Sequence, residues 1–125
     1  MIILGVDPGL AETGVGIIKT TKDSKNNLKF VYLNCIKTKK ETLKPKRLEF
    51  IHNEILELID KFKVKVLAIE GLFFFRNAKS ISGVGQAMGA VMVAAGKKNI
   101  KVFEYSPLAI KKNLTGYGRA KKRKL

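Results

Sequence analysis

The sequence predicts an α/β domain built on a mixed five-stranded sheet, three strands in an antiparallel meander and the others parallel, flanked by helices. Three observations carry that expectation. Three strand-like segments follow one another near the N-terminus with only short polar turns between them. Amphipathic helical stretches then alternate with short apolar strands. The composition, 46% hydrophobic and 28% charged, is that of a packed globule and not of a disordered chain. At 125 residues the chain is read as one domain, 1–125, without an internal repeat or linker.

Residues 2–7 (Ile2-Ile3-Leu4-Gly5-Val6-Asp7) form an apolar run that ends on a carboxylate and is turned by Pro8-Gly9. Residues 13–20 make a glycine-containing strand, Lys22 to Asn27 a hairpin loop, and Leu28 to Thr38 a third strand. Pro45 suits a first helical turn, after which Leu48, Ile51, Ile55, Leu58, Ile59 and Phe62 share one helical face. Val64 to Glu70 is a buried strand rich in β-branched residues, and it too ends on an acid. From Lys79 to Lys97, Ile81, Val84, Met88, Val91, Met92 and Ala95 repeat the helical spacing. Gly83, Gly85 and Gly89 within that stretch cost about 1 kcal/mol each relative to Ala. Their presence implies close packing, on the sheet or on a second subunit. Lys101 to Tyr105 is the fifth strand, and Ser106-Pro107 caps a short helix ended by Gly116.

The charge is lopsided: 25 basic against 10 acidic residues, a formal net charge of +15. Such a domain calls for an anionic partner, and nucleic acid leads because Lys and Arg contacts to phosphates release condensed counterions. An acidic membrane surface is the weaker rival, since no basic amphipathic helix stands out. Cys35 is the single cysteine, which excludes an internal disulfide and a cysteine-based zinc knuckle, and it reads as a small core residue on a strand. The apolar N-terminal run lacks a basic leader and is too short to span a bilayer, so a reducing, cytoplasmic location is expected.

Asp7 and Glu70 each close a buried strand. An unpaired buried charge is expensive, and a hard divalent cation with oxygen ligands satisfies two such acids together. An ion held in this way supports phosphodiester hydrolysis. Taken singly, Asp7 also reads as a turn-capping acid before Pro-Gly, and Glu70 as a strand-end acid facing solvent or a lysine. The pair favours the metal site. In Asp7-Pro8-Gly9-Leu10-Ala11-Glu12-Thr13-Gly14, a turn between strand tip and return strand lets a phosphate come close to backbone. An Asp-x-Gly turn also opens actin-like phosphotransferases, but the second glycine-rich phosphate loop those need is not found in the sequence. His52 lies one residue past the apolar stripe and reads as a surface or edge residue. Glu104 has the charge of a site residue, on the fifth strand.

Several motifs in order carry a family resemblance. Ile3-Leu4-Gly5-Val6-Asp7-Pro8-Gly9 with Thr13-Gly14 resembles the opening of RuvC-type Holliday junction resolvases. Leu67-Ala68-Ile69-Glu70 with Phe73 resembles their second catalytic strand, and Gly85-Gln86-Ala87-Met88-Gly89 with Val93-Ala94-Ala95 their dimer helix. Val102-Phe103-Glu104-Tyr105, Lys111 and Gly116-Tyr117-Gly118-Arg119-Ala120-Lys121-Lys122 continue the match. The resemblance implies an RNase H-like fold and a homodimer through the 79–97 helix. It implies paired nicks at four-way DNA junctions during recombination and repair, Mg2+ or Mn2+ as cofactor, and cooperation with a branch-migration motor. Carried over by position, Asp7 and Glu70 are metal-binding catalytic carboxylates, and Lys111 and Lys122 are catalytic lysines near the scissile phosphate. Phe73 matches an aromatic that stacks on bases near the crossover; Phe74, Arg76, Lys112, Arg119 and Lys121 complete the candidate DNA-binding set. Glu104 corresponds to an acid that is not catalytic in the family.

The sequence departs from the family in one respect. Resolvases of this type complete their site with two aspartates one helical turn apart on a C-terminal helix, and no acidic residue follows Glu104 here. The chain therefore reads as truncated, and it is expected to bind junction DNA and cleave it weakly or not at all. The alternative function is a non-catalytic module that binds branched DNA. Loss of a closing helix is also expected to leave apolar sheet surface uncovered.

Overall fold

The computed structural model describes residues 1–20, 28–71 and 78–105, with side chains from 82 onward in the last stretch. Within these residues five strands and two helices follow in the order β1 (Ile2–Asp7), β2 (Glu12–Thr20), β3 (Leu28–Lys37), α1 (Lys44–Phe62), β4 (Val66–Glu70), α2 (Ala78–Lys97), β5 (Lys101–Tyr105). The sheet order is β3-β2-β1-β4-β5. β1 pairs antiparallel with β2 and β2 with β3, while β1–β4 and β4–β5 are parallel. The meander followed by helical crossovers is the expected architecture. The expected hairpin loop and the helix after Ser106 lie outside the described residues.

Alternation sorts the sheet into two unlike faces. One carries Leu4, Val6, Val15, Ile17, Ile36, Leu67 and Ile69, all buried. Both helices pack on this face. α1 contributes Ile51, Ile55, Leu58 and Ile59, and α2 contributes Ala87, Met88, Val91, Ala94 and Ala95. Alanines on α2 let it lie close to its neighbours. The far end of α1 is pinned by Phe62 against Tyr32 of β3, with ring centroids 5.3 Å apart.

Two local expectations are corrected by the fold. Val64 is buried but precedes β4: its N–H closes the end of α1 on the Ile59 carbonyl at 3.1 Å, after Lys63 takes a left-handed conformation at φ 56°. Cys35 is half-exposed instead of core, because its register partner is Gly14 on the open face and the buried position is Ile36. The glycines of α2 divide: Gly83 faces Leu10 of its own chain, whereas Gly89 and Gly96 face open space among the described residues.

The opposite face is bare by comparison. Phe30, Leu33 and Phe103 stand on it and are more than half exposed among the described residues. Leu67, by contrast, sits at zero exposure in the middle of the core. Leu67→Ala should lower unfolding free energy by about 2–5 kcal/mol in urea denaturation, whereas Leu43→Ala, in the exposed turn before α1, should stay within about 0.5 kcal/mol. Equal effects would show that the core is placed wrongly.

Candidate active site

The site is assembled by the two parallel strands at the centre of the sheet. β1 and β4 run in register from Ile3↔Val66 to Val6↔Ile69, so both end at the same edge, β1 on Asp7 and β4 on Glu70. Leu4, Val6, Leu67 and Ile69 point into the core, which sends Asp7 and Glu70 to the opposite face. The two acids thus stand side by side on neighbouring strand tips, Asp7 exposed and Glu70 half-buried. The electrostatics agree. The Tyr105 hydroxyl is pushed above the ordinary tyrosine value by burial, and then by the negative charges of Glu70 and Asp7. Tyr105 is paired with Glu70 across β4–β5, and its carbonyl accepts the Gly71 N–H at 2.7 Å.

Among the described residues of β1, β2 and β4, those beside the acids are small. Gly5, Gly14, Gly16 and Ala68 occupy the positions of β1, β2 and β4 on the same face. A Cβ built on Gly14 would touch the Asp7 Cβ at 3.6 Å. Among the described residues the floor beside the carboxylates therefore carries few large side chains, which leaves room there for a bulky anionic substrate.

The loop after Asp7 is held by one buried hydroxyl. Thr13 has no solvent exposure; its Oγ1 donates to the Gly9 carbonyl at 2.7 Å and accepts the Gly9 N–H at 3.3 Å. Gly9 has no substitute there, because a Cβ would collide with the Glu12 carbonyl oxygen. A second tie comes from outside the loop. Thr38 Oγ1 donates to the Leu10 carbonyl at 2.6 Å, its N–H donates to the Ala11 carbonyl at 3.0 Å, and Arg47 Nε donates to Thr38 Oγ1 at 2.8 Å.

Of the sequence-predicted residues, Asp7 and Glu70 are brought together. Glu104 is not with them: its partner is Ile69, which places it on the helix face, exposed. His52 lies on α1, its Nδ1 3.0 Å from Asn53 Oδ1, away from the strand tips. Phe73, Phe74, Arg76, Lys111, Lys112, Arg119, Lys121 and Lys122 lie outside the described residues. The side-chain roles of Tyr105, Thr13, Thr38 and Arg47 emerge only from the fold. Tyr105 had a faint signal in the sequence, since it ends the fifth strand as the acids end the first and fourth.

Among the described residues the donor set is two carboxylates, which suits a hard divalent cation. Among the described residues no cluster of three or more His, Cys, Asp or Glu gathers. Two carboxylates fit the manner in which Mg2+ binds at phosphate-processing sites, where waters and substrate phosphates complete the shell.

Comparison with known proteins follows the same lines. The model of the family described as crossover junction endodeoxyribonuclease RuvC matches residues 3–125. The chain is similar to the RuvC of Endomicrobium trichonymphae, 45% identical over 123 residues, covering 98% of this chain and 63% of that protein. It is similar to the RuvC of Thermotoga petrophila, 42% identical over 125 residues, covering 100% of this chain and 74% of that protein. Among solved structures, Thermus thermophilus RuvC in complex with Holliday junction substrate superposes with a TM-score of 0.91 at 31% identity, over 98% of this chain and 73% of that one. The chain thus spans between 63% and 74% of the length of these relatives.

The proximity of the acids to Tyr105 makes a direct prediction. Its native pKa lies above the ordinary tyrosine value of about 10, so the unfolded chain loses the phenolic proton first and native stability falls as pH rises above that value. Glu70→Gln, and to a smaller extent Asp7→Asn, should move the tyrosinate absorbance titration of Tyr105 downward, with burial holding it above the ordinary value. A titration unchanged in both variants would separate Tyr105 from the carboxylates.

Proposed function

We propose, from the premise that this chain belongs to the RuvC family of crossover junction endodeoxyribonucleases, that it binds four-way junction DNA and hydrolyses phosphodiesters there with a divalent cation, Mg2+ or Mn2+, held by Asp7 and Glu70. The observation that carries this reading is the arrival of both acids on one face at adjacent tips of parallel strands. The net charge of +15 supports the substrate class.

The ion, when bound, supplies positive charge against the charge growing on the phosphoryl group. The rest is done by the chain. Asp7 and Glu70 present oxygen ligands from a sheet whose core side is fully packed, so neither strand tip shifts without disturbing Val6 and Ile69. Tyr105 keeps its proton at neutral pH and so remains a hydrogen-bond donor beside two acceptors. The Thr13–Gly9 clasp fixes the turn that follows Asp7. The family resemblance gives Lys111 and Lys122 the task of stabilising phosphate charge. Phe73 stacks on an opened base at about 1–3 kcal/mol per base, while Phe74, Arg76, Lys112, Arg119 and Lys121 hold the strands. A branch-migration motor as partner and a cytoplasmic setting complete this reading.

The protein acts as a homodimer through α2. Its buried side serves the core, while Ser82, Gly89, Val93 and Gly96 form an exposed row of mostly small side chains on one face, with Val93 55% exposed. A partner helix can approach such a row closely, and the two sites of a dimer match the two strands nicked at a junction.

Two experiments test the proposal. Asp7→Asn and Glu70→Gln should each reduce Mn2+ affinity and metal-dependent nicking of a four-way junction by more than the roughly 10–100-fold cost of losing an outer-shell partner. Junction binding in EDTA should change little. Nicking that survives either change contradicts the assignment. For the dimer, Val93→Glu should convert the protein to monomer in light scattering while its far-UV circular dichroism stays that of the folded chain; a native chain that is already monomeric contradicts it.

A further inference from the structure

One group of basic residues is tied to the Asp7 loop by hydrogen bonds. Strand polarity decides which lysines share an end with the carboxylates. β3 ends at Lys37, opposite Glu12 and hence beside the loop that follows Asp7. The connection from β3 into the first turn of α1 then carries Lys37, Lys39, Lys40, Lys44, Lys46 and Arg47 against the single acid Glu41. This segment encloses a cleft of about 310 Å³ lined by Lys37, Thr38, Lys39, Thr42, Lys46, Arg47 and Phe50.

Four cations around one concavity repel one another unless an anion joins them. Among the described residues, the ion pairs leave most of that charge uncompensated. Lys46 pairs with Glu49 at 3.1 Å, but both side chains are more than half exposed, so water screens the pair. The first turn of α1 carries no acid, and Leu43 provides no side-chain cap, so the positive end of the helix adds to the field instead of cancelling it. Arg47 spends Nε on Thr38 Oγ1, which fixes the guanidinium plane and leaves its terminal nitrogens as further donors. The same Thr38 hydroxyl donates to Leu10, and its N–H donates to Ala11. Arg47 also lines the adjoining hollow with Gly9, Leu10, Ala11 and Glu12. An anion seated in the cleft is therefore positioned relative to Asp7 through a chain of hydrogen bonds.

We infer that the cleft between the end of β3 and the start of α1 is a second DNA-binding site, which takes a backbone phosphate of a junction arm through Lys37, Lys39 and Arg47 and so sets where the scissile strand crosses Asp7 and Glu70. The inference rests on the proposed junction-binding function and adds to it a site outside the strand tips. The occupant is a phosphodiester, because four cations and two hydroxyls line the cleft beside Phe50, and most hydrogen bonds from such groups to DNA go to phosphate and sugar.

The test uses the full chain and a fluorescent four-way junction, with affinity measured in EDTA by anisotropy over a series of KCl concentrations. Lys37→Gln/Lys39→Gln should reduce the slope of log K against log salt by roughly 0.9 for each phosphate that the variant no longer neutralises. Lys63→Gln/Lys65→Gln removes the same charge at the opposite end of the sheet, where the Lys65 N–H pairs with the Ile2 carbonyl, and should leave the slope unchanged. Thermal midpoints report whether each variant is folded. Equal changes from the two pairs, or none from Lys37 and Lys39, overturn the cleft while leaving junction binding intact. A native chain that does not bind the junction removes both the function and the cleft.

Discussion

The parallel ladder between β1 and β4 is the constraint from which the rest follows. Four residues of each strand pair in register, Ile3 with Val66 through Val6 with Ile69, and that register alone decides where Glu70 goes. A slip of one residue would turn Glu70 to the helix side and carry Ile69 out of the core. Burial therefore guards the chemistry: Leu4, Val6, Leu67 and Ile69, each at or near zero exposure, make any other register costly by about 1.5–3 kcal/mol per apolar side chain brought into water.

The two faces of the sheet divide the work. One is filled by β-branched and leucine side chains under α1 and α2. The other, among the described residues, has the small Gly5, Gly14, Gly16 and Ala68 at its centre and acids at the rim. Rigidity comes from the first face and access from the second. Thr13 links them, since it is a fully buried side chain on the packed face whose hydroxyl closes the turn after Asp7. A polar group buried in this way must have its partners, and it finds both in Gly9.

Much of this was legible in the sequence, for physical reasons. Two apolar runs that each stop on an acid mark strands leaving a core at a polar edge, so Asp7 and Glu70 stood out without coordinates. The helices showed in their spacing. What escaped depended on pairing between distant segments. Cys35 sits in Tyr32-Leu33-Asn34-Cys35-Ile36, where apolar residues fall on both parities, and only the register with β2 makes Ile36 the buried one. Val64 has the chemistry of a strand residue but is spent on ending α1. Tyr105 and Arg47 carry no local signal strong enough, because the importance of each comes from a partner at least nine residues away. Glu104 shows the converse: its charge drew attention, and alternation alone removes it from the site.

Whether the carboxylates at positions 7 and 70 share one cation decides the nuclease chemistry of this fold. Anomalous diffraction at the manganese edge, from crystals of the chain soaked in Mn2+, measures this directly. The expected result is a peak within bonding distance of an oxygen from each side chain, close to the roughly 2.0–2.1 Å typical of Mg2+. Manganese bound elsewhere while Asp7 and Glu70 remain without it, or bound to one of them with the other turned away, would contradict a shared site.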